Sequence, residues 1–128
     1  MRKTVKSPKA PVFPIPFSHA VVTSGKLVFA SGMVGLDPVT KTVPEKFEDE
    51  VRMVLDNLLE VLVAAGCSKE NVVKCTCFLT DVSLFDRFNA TYGDFFGFTD
   101  APARSTFQVV SLPGPYRIEI EAVGNVPE

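Results

Sequence analysis

The sequence predicts an α+β fold, a two-layer sandwich in which two helices cover one face of a mostly antiparallel sheet. Short segments rich in β-branched residues predict strands, and two longer stretches with apolar residues every three or four positions predict helices. Glycine and proline pairs separate these segments. The predicted order is β-β-α-β-α-β-β. A length of 128 residues, 46% of them hydrophobic, suits a single domain over residues 1–128 with one core.

The N-terminal segment, residues 1–16, is predicted to be an extended arm that leads into the first strand. The first 36 residues hold five basic and no acidic side chains, whereas the whole chain has a net charge of −2. The arm contains four prolines, which exclude an amphipathic helix: Pro8, Pro11, Pro14 and Pro16. A basic arm also favours nucleic-acid binding, and the net negative charge of the chain opposes it.

The first half of the chain is predicted to form a hairpin followed by a long helix. Residues 18–22 and 26–30 are strand candidates on either side of a tight turn at Ser24 and Gly25. Residues 42–65 form the helix candidate, in which Thr42 and Glu45 have capping-box spacing and Gly66 marks the end. Its apolar stripe consists of Phe47, Val51, Val54, Leu55, Leu58, Leu62 and Ala65.

The second half is predicted to alternate strand, helix and two further strands. Residues 71–80 are rich in Val, Cys, Thr and Phe and predict a strand. Residues 84–96 predict a helix that Asp81 or Ser83 caps and Gly97 ends. Its aromatic stripe, predicted to be core, is Phe85, Phe88, Tyr92 and Phe95. Residues 103–110 and 116–123 are the last two strands, which we expect to pair as a hairpin.

Composition narrows the class of protein further. No apolar stretch is long enough for a membrane helix, and no secretory signal is evident. Three cysteines, Cys67, Cys75 and Cys77, are predicted to be free, buried thiols. His19 is the only histidine, so no metal site is expected. We therefore expect a cytoplasmic protein, with a mitochondrial one as the alternative.

Polar residues cluster in the last two predicted strands. Alternation places Arg104, Thr106 and Gln108 on one strand face, and Arg117, Glu119 and Glu121 on a face of the next strand. In a hairpin, Thr106 would face Glu119 and Arg104 would face Glu121. Two interpretations remain open from spacing alone. One is an exposed cross-strand ion pair, and the other is a site where Arg104 binds a substrate carboxylate and a glutamate moves a proton.

Motifs along most of the chain resemble one known family. Ala101-Pro102-Ala103-Arg104-Ser105-Thr106, followed by Ile118-Glu119-Ile120-Glu121-Ala122, resembles the C-terminal signature of the RidA (YjgF-type) reactive-intermediate deaminases. Pro16-Phe17-Ser18-His19-Ala20 is similar to the family's Pro-Tyr-Ser-Gln-Ala. Further similar segments include 27–32, 36–38, 64–66, 78–81 and 89–93, so the resemblance covers nearly all residues beyond Lys9.

This resemblance implies a chorismate-mutase-like fold and a homotrimer with active sites in the clefts between subunits. It implies hydrolysis of 2-iminobutanoate and 2-iminopropanoate to 2-oxo acids and ammonia, without a cofactor, which protects pyridoxal-phosphate enzymes. By position, Arg104 would bind the substrate carboxylate and Glu119 would hold or activate water. Thr106 would line the pocket where many members have Cys. The remaining substrate-binding positions would be Phe17, Ser31, Gly32 and Asn89.

The chain departs from the family pattern around the expected cleft. Phe17 stands where the family usually has Tyr, and Ile15 stands where it usually has Gly. His19 replaces a Gln, and Met33 stands where Gln is common. Arg104 and Glu119 are retained, so imine hydrolysis is expected to survive, whereas the departures leave its substrate preference and rate open. Two alternatives remain open. The resemblance implies an endoribonuclease and translation inhibitor, and Phe17 in place of Tyr favours a non-catalytic trimer that binds small carboxylates.

Overall fold

The computed structural model describes all residues, 1–128. In chain order the strands are β1 (Arg2–Val5), β2 (Ala20–Thr23), β3 (Lys26–Val34), β4 (Val72–Leu79), β5 (Ala103–Gln108) and β6 (Ile118–Val126). The two α-helices are α1 (Phe47–Ala64) and α2 (Phe85–Phe96), and short 3-10 turns at Lys69–Asn71 and Val82–Leu84 precede β4 and α2. This is the predicted α+β class.

The main sheet has four strands in the order β3-β6-β4-β5. β6 is antiparallel to both β3 and β4, whereas β4 and β5 are parallel. The two helices and the inward-facing side of this sheet share one core of 18 buried residues. The other face of the sheet carries no helix, and we call it the open face.

The predicted hairpin of the last two strands is wrong, because β4 lies between β5 and β6. Thr106 pairs with Cys77, which pairs in turn with Ile120 on β6. Thr106 therefore does not face Glu119, and the expected pairing of Arg104 with Glu121 is also wrong, because Arg104 lies beside Cys75. The loop between β5 and β6 is long enough to cross over β4. The alternation of side chains within a strand does not show which strand pairs with it.

A strand that the sequence analysis did not predict begins the chain. This strand, β1, lies within the segment expected to be an extended arm. It pairs antiparallel with β2, and the two form a separate two-stranded sheet. The Arg2 side chain holds this strand in place by donating hydrogen bonds of 2.8 Å to the carbonyl oxygens of Val72 and Asp100. These contacts are long-range, so no local pattern in the sequence indicates them.

The helix stripes are confirmed, whereas one predicted cap is wrong. All predicted stripe residues of α1 except Ala65 are buried, and in α2 only Phe85 is less than fully buried. α1 begins at Phe47 after Lys46, which makes no side-chain cap, so Thr42 and Glu45 form no capping box. Gly66 (φ +85°) and Gly97 (φ +80°) follow the helices in backbone conformations that favour glycine, as predicted.

The three cysteines are free and buried, as expected, with Cys75 and Cys77 on the inward face of β4. Neither helix is both long enough and apolar enough to cross a membrane.

Candidate active site

A pocket of about 240 Å³ lies at the edge of the main sheet, where β5 presents Arg104 and Thr106 on the helix-covered side. The N-terminal arm, the residue that directly follows it and the first residue of α2 supply the rest of its wall. The six lining residues are Phe13, Ile15, Phe17, Phe85, Arg104 and Thr106. Two polar side chains therefore stand beside four apolar ones.

The Arg104 guanidinium is held by neutral groups. Its Nε donates to Thr106 Oγ1 at 3.0 Å, and its Nη2 donates to Asn89 Oδ1 at 2.5 Å. Its central carbon lies 4.9–5.5 Å from the ring centroids of Phe85, Phe88 and Tyr92, within cation–π distance. These contacts orient the side chain without neutralising its charge.

No carboxylate in the chain balances Arg104. Three ion pairs are present, and Arg104 takes part in none of them. Burial raises the pKa of the Cys75 thiol to about 11 and raises the pKa values of Cys77 and Tyr92, so all three neighbours are neutral at pH 7. Burial lowers the pKa of Arg104 itself, but a guanidinium keeps its proton at neutral pH.

One guanidinium nitrogen, Arg104 Nη1, is buried and has no hydrogen-bond partner. A buried donor without an acceptor costs about 1–3 kcal/mol, and more when it is charged. Apart from this buried nitrogen, Arg104 lines the pocket and has no carboxylate partner, so the guanidinium is suited to binding an anion such as a carboxylate.

Glu119 belongs to a second cluster, together with Ser31 and Gly32. The strand β3 is irregular between Ala30 and Met33, which is where Ser31 and Gly32 lie. A Cβ atom built on Gly32 would overlap the carboxylate of Glu119, so only glycine allows these groups to approach so closely. The exposed Ser31 and the half-buried Glu119 thus form a small polar area on β3 and β6.

The two clusters lie on opposite faces of the main sheet. Glu119 pairs with Phe78, which pairs with Phe107 on β5, so these three side chains share the open face. Arg104 and Thr106 alternate with Phe107 and point to the helix-covered face, where Arg104 donates to Asn89 and lines the pocket together with Phe17. Of the seven predicted site residues, the structure therefore groups four around Arg104 and three around Glu119.

The remaining charged residues of the predicted cluster have other roles or positions. Arg117 forms an ion pair with the fully buried Glu50, with 2.6 Å between Nε and Oε1, and its backbone N–H also donates to Glu50 Oε2. Glu121 is exposed on the open face. Neither residue lines the Arg104 pocket.

Sequence reasoning did not assign Phe13 and Phe85 to the pocket, and it treated Ile15 only as a departure from the family pattern. One signal was available, because Phe13, Ile15 and Phe17 alternate with Pro14 and Pro16 and so project from one side of an extended segment. His19 does not line the pocket; both of its ring nitrogens are used in hydrogen bonds to the arm.

Comparison with known proteins identifies the family. The model of the endoribonuclease L-PSP family matches residues 7–126. A 2-iminobutanoate/2-iminopropanoate deaminase from Bos taurus is 39% identical over 124 residues, which cover 96% of this chain and 89% of the bovine protein.

Solved structures agree with this match. A putative endoribonuclease from Thermotoga maritima is 40% identical, with coverage of 100% of this chain and 99% of that one and a TM-score of 0.75. E. coli TdcF with bound serine is 35% identical, with coverage of 98% and 99% and a TM-score of 0.75. The chain therefore belongs to the endoribonuclease L-PSP family, the RidA (YjgF-type) family that its motifs resemble.

Proposed function

We propose that this protein hydrolyses 2-imino acids to 2-oxo acids and ammonia, and that 2-iminobutanoate and 2-iminopropanoate are among its substrates. The observation that carries the proposal is the half-buried Arg104, which faces a pocket and has no carboxylate partner in the chain. A 2-imino acid supplies the missing anion and places its C=N bond next to it. The names of relatives such as the bovine 2-iminobutanoate/2-iminopropanoate deaminase support the reaction type.

In this proposal Arg104 binds the substrate carboxylate, and Thr106 and Asn89 keep the guanidinium in place. Glu119 holds the attacking water and accepts a proton from it. The water oxygen forms a bond to C2, while the C=N electron pair moves to nitrogen, which takes up a proton. The carbinolamine hydroxyl then gives up its proton and forms C=O as the C–N bond breaks, and the nitrogen takes up a proton and leaves as ammonia. Because an imine is already electrophilic, positioning and proton transfer are sufficient.

The proposal requires a second copy of the chain. Arg104 and Glu119 point to opposite sheet faces, so one protomer cannot place both on the same substrate. A neighbouring copy that packs on the open face would bring its own Arg104 pocket towards Glu119, Ser31 and Gly32. Phe29 and Phe107, which are 73% and 55% exposed, give that face the apolar surface that such packing buries. We propose the homotrimer that the resemblance implies, with residues 1–128 of each copy forming one domain.

Competition for an unstable imine tests this function. A threonine dehydratase generates 2-iminobutanoate, and semicarbazide traps it as a semicarbazone that is followed by absorbance. We expect the wild-type protein to suppress semicarbazone formation and Arg104→Ala to fail to do so. Arg52→Ala is the matched control, because Arg52 is an exposed arginine on α1, paired only with Asp56. Failure of the folded wild-type protein to compete with semicarbazide would contradict the proposal.

An RNA-directed activity is the second candidate, because the matching family model and the T. maritima structure both carry an endoribonuclease name. Lys3, Lys6 and Lys9 are exposed on the N-terminal segment, whereas Arg2 is engaged with Val72 and Asp100. If RNA cleavage is intrinsic, it should fall when the three lysines are changed to glutamine. Cleavage that is unaffected by this change and varies between preparations would indicate a contaminating nuclease.

A further inference from the structure

The apolar wall of the Arg104 pocket is the feature that the proposed function leaves unused. When Arg104 binds the carboxylate of an imino acid, the side chain on C2 must lie along one of the surfaces that line the pocket next to Arg104. Of the four apolar lining residues, Phe13 and Ile15 come from the arm, Phe17 directly follows it, and Phe85 comes from the start of α2. A methyl or ethyl group would cover only a small part of this wall.

The wall lacks a polar partner for a substituent. Phe17 stands where the family pattern has Tyr, so no hydroxyl is present at that position, and Ile15 adds a branched side chain where the pattern has Gly. The Phe17 ring packs against Phe13, with centroids 6.3 Å apart, and edge-on against His19, with centroids 5.5 Å apart. Transfer of an apolar group from water to such a surface is favourable in proportion to the area covered.

The wall is held in place at both ends before any ligand binds. Ser18 Oγ donates to the carbonyl of Ala101 at 2.6 Å. His19 Nδ1 accepts the Ser7 N–H at 2.9 Å, so Nε2 carries the ring hydrogen and donates to the Pro11 carbonyl at 2.6 Å. Because the segment is anchored on either side and contains Pro14 and Pro16, little conformational freedom is lost when a ligand covers it.

We infer that the preferred substrates of this protein are 2-imino acids with large apolar side chains, branched or aromatic, rather than those with a methyl or ethyl group. This inference rests on the proposed imine hydrolysis. Such imines form when the matching amino acids lose the Cα–H and one N–H, as two electrons and two protons, to an acceptor such as a flavin, so the reaction that supplies them is an amino-acid oxidation. Each additional buried methylene group raises kcat/KM several-fold. We therefore expect kcat/KM for the leucine-derived imine to exceed that for 2-iminopropanoate about tenfold or more.

The experiment generates a series of imines with an L-amino-acid oxidase acting on leucine, phenylalanine, alanine or 2-aminobutanoate, with catalase to remove peroxide. Semicarbazide competition then gives kcat/KM for each imine. A ratio of leucine-derived to alanine-derived imine near or below one would overturn the inference. Hydrolysis of the small imines alone would overturn the inference while leaving the proposed function intact.

Three variants locate the effect in the wall. Phe13→Ala should lower the ratio of leucine-derived to alanine-derived imine several-fold, and Phe17→Tyr, which adds one hydroxyl to a ring of similar shape, should lower it in the same direction. Val12→Ala is the matched control, since Val12 is 64% exposed on the same segment and does not line the pocket. An unchanged ratio in Phe13→Ala and Phe17→Tyr would contradict the assignment of the wall.

Binding of the 2-oxo acid products separates failure of the inference from failure of the proposed function. Isothermal titration calorimetry with 4-methyl-2-oxopentanoate and phenylpyruvate is compared with 2-oxobutanoate. We expect the first two to bind about tenfold more tightly. If no imine is hydrolysed but the two large 2-oxo acids bind more tightly than 2-oxobutanoate, the protein is a binding protein whose wall selects large apolar side chains. The proposed reaction is then wrong. If 2-oxobutanoate binds as tightly as the others, the inference is wrong whatever the activity.

Discussion

Arg104 and Arg117 are both packed against aromatic rings, but only Arg117 has a carboxylate partner. The Arg117 guanidinium lies 5.5 Å from the Phe47 ring centroid and is paired with Glu50, and its Nη2 donates to the Glu45 carbonyl at 2.9 Å. Arg104 lies against three rings, is held by a hydroxyl and an amide, and leaves a buried nitrogen without a partner. The same residue type therefore completes the fold at one position and remains available for an external anion at the other.

The energetic consequences differ accordingly. Glu50 is 0% exposed, so Arg117 neutralises a charge that cannot reach water, and removing Arg117 would leave that charge uncompensated. Arg104 is itself the uncompensated charge, so removing it relieves a deficit in the unliganded protein. Residues that serve ligand binding at the expense of stability are common in binding sites.

The largest expected effect comes from Arg104→Met, which keeps an unbranched side chain but removes the charge. We expect kcat/KM for imine hydrolysis to fall about 30-fold or more, because a charged contact to substrate is worth about 2–5 kcal/mol. The free energy of unfolding, measured by urea denaturation at fixed protein concentration, should be nearly unchanged, because relief of the uncompensated charge offsets the hydrogen bonds lost by Thr106 and Asn89. A large loss of stability would show that Arg104 is primarily structural.

Arg117→Met should show the opposite pattern. We expect it to lower the free energy of unfolding by about 3 kcal/mol, because it leaves Glu50 buried without a partner. Glu50→Gln combined with Arg117→Met should recover part of the loss, since the buried charge is then absent. The urea midpoints of the two single variants and the double variant measure the coupling. Additive losses would contradict an interacting pair.

Glu119→Gln tests the second cluster and the need for a second copy. We expect kcat to fall about 100-fold while binding of 2-oxo acids is nearly retained, because the amide cannot accept the proton from water. Unfolding and refolding a mixture of Arg104→Ala and Glu119→Gln chains should restore part of the activity, since some clefts then combine an intact Arg104 with an intact Glu119 from different copies. A mixture no more active than its components would place both residues in a single chain's site.

His19→Phe tests whether the His19 side chain holds the N-terminal arm, and with it the apolar wall, in place. The phenyl ring retains packing against Phe17, but the Ser7 N–H loses its acceptor and the Pro11 carbonyl loses its donor. We expect a loss of about 1–2 kcal/mol in the free energy of unfolding, with faster hydrogen exchange at the Ser7 amide. Unchanged exchange at Ser7 would show that His19 does not anchor the arm.

The smallest effect is expected at a third arginine, Arg87, whose Nη2 lies 2.7 Å from Glu48 Oε1 at an exposed position. Hydrogen bonding to Arg87 lowers the pKa of Glu48 from 4.5 to about 2. A depressed carboxyl pKa contributes stability that is fully present above pH 4.5 and is lost as the pH falls towards 2. Urea denaturation across this pH range measures the free energy of unfolding of the wild-type protein and of Arg87→Ala. We expect this free energy to depend slightly less on pH in the variant. Identical pH profiles would contradict a contribution from the Arg87–Glu48 pair.

Local sequence patterns determined much of this molecule. The apolar stripes of α1 and α2, with glycines that follow the helices, have the period of a helix with one buried face, and they are confirmed because helix geometry depends on neighbours three and four residues away. The quoted motifs were also sufficient to identify the family that the comparisons show. Alternation correctly placed Arg104 and Thr106 on one face of β5, where they share a hydrogen bond.

The tertiary structure alone decided how the strands are arranged. Alternation shows which side chains share a face within a strand, but it does not show which strand lies beside it, so the insertion of β4 between β5 and β6 was not predictable from spacing. That insertion separates Arg104 from Glu119. The strand β1 and the apolar wall of Phe13, Ile15 and Phe17 likewise depend on Arg2, Ser18 and His19 meeting partners elsewhere in the folded chain. Such contacts form only when distant segments pack together, and so the site depends on the tertiary fold.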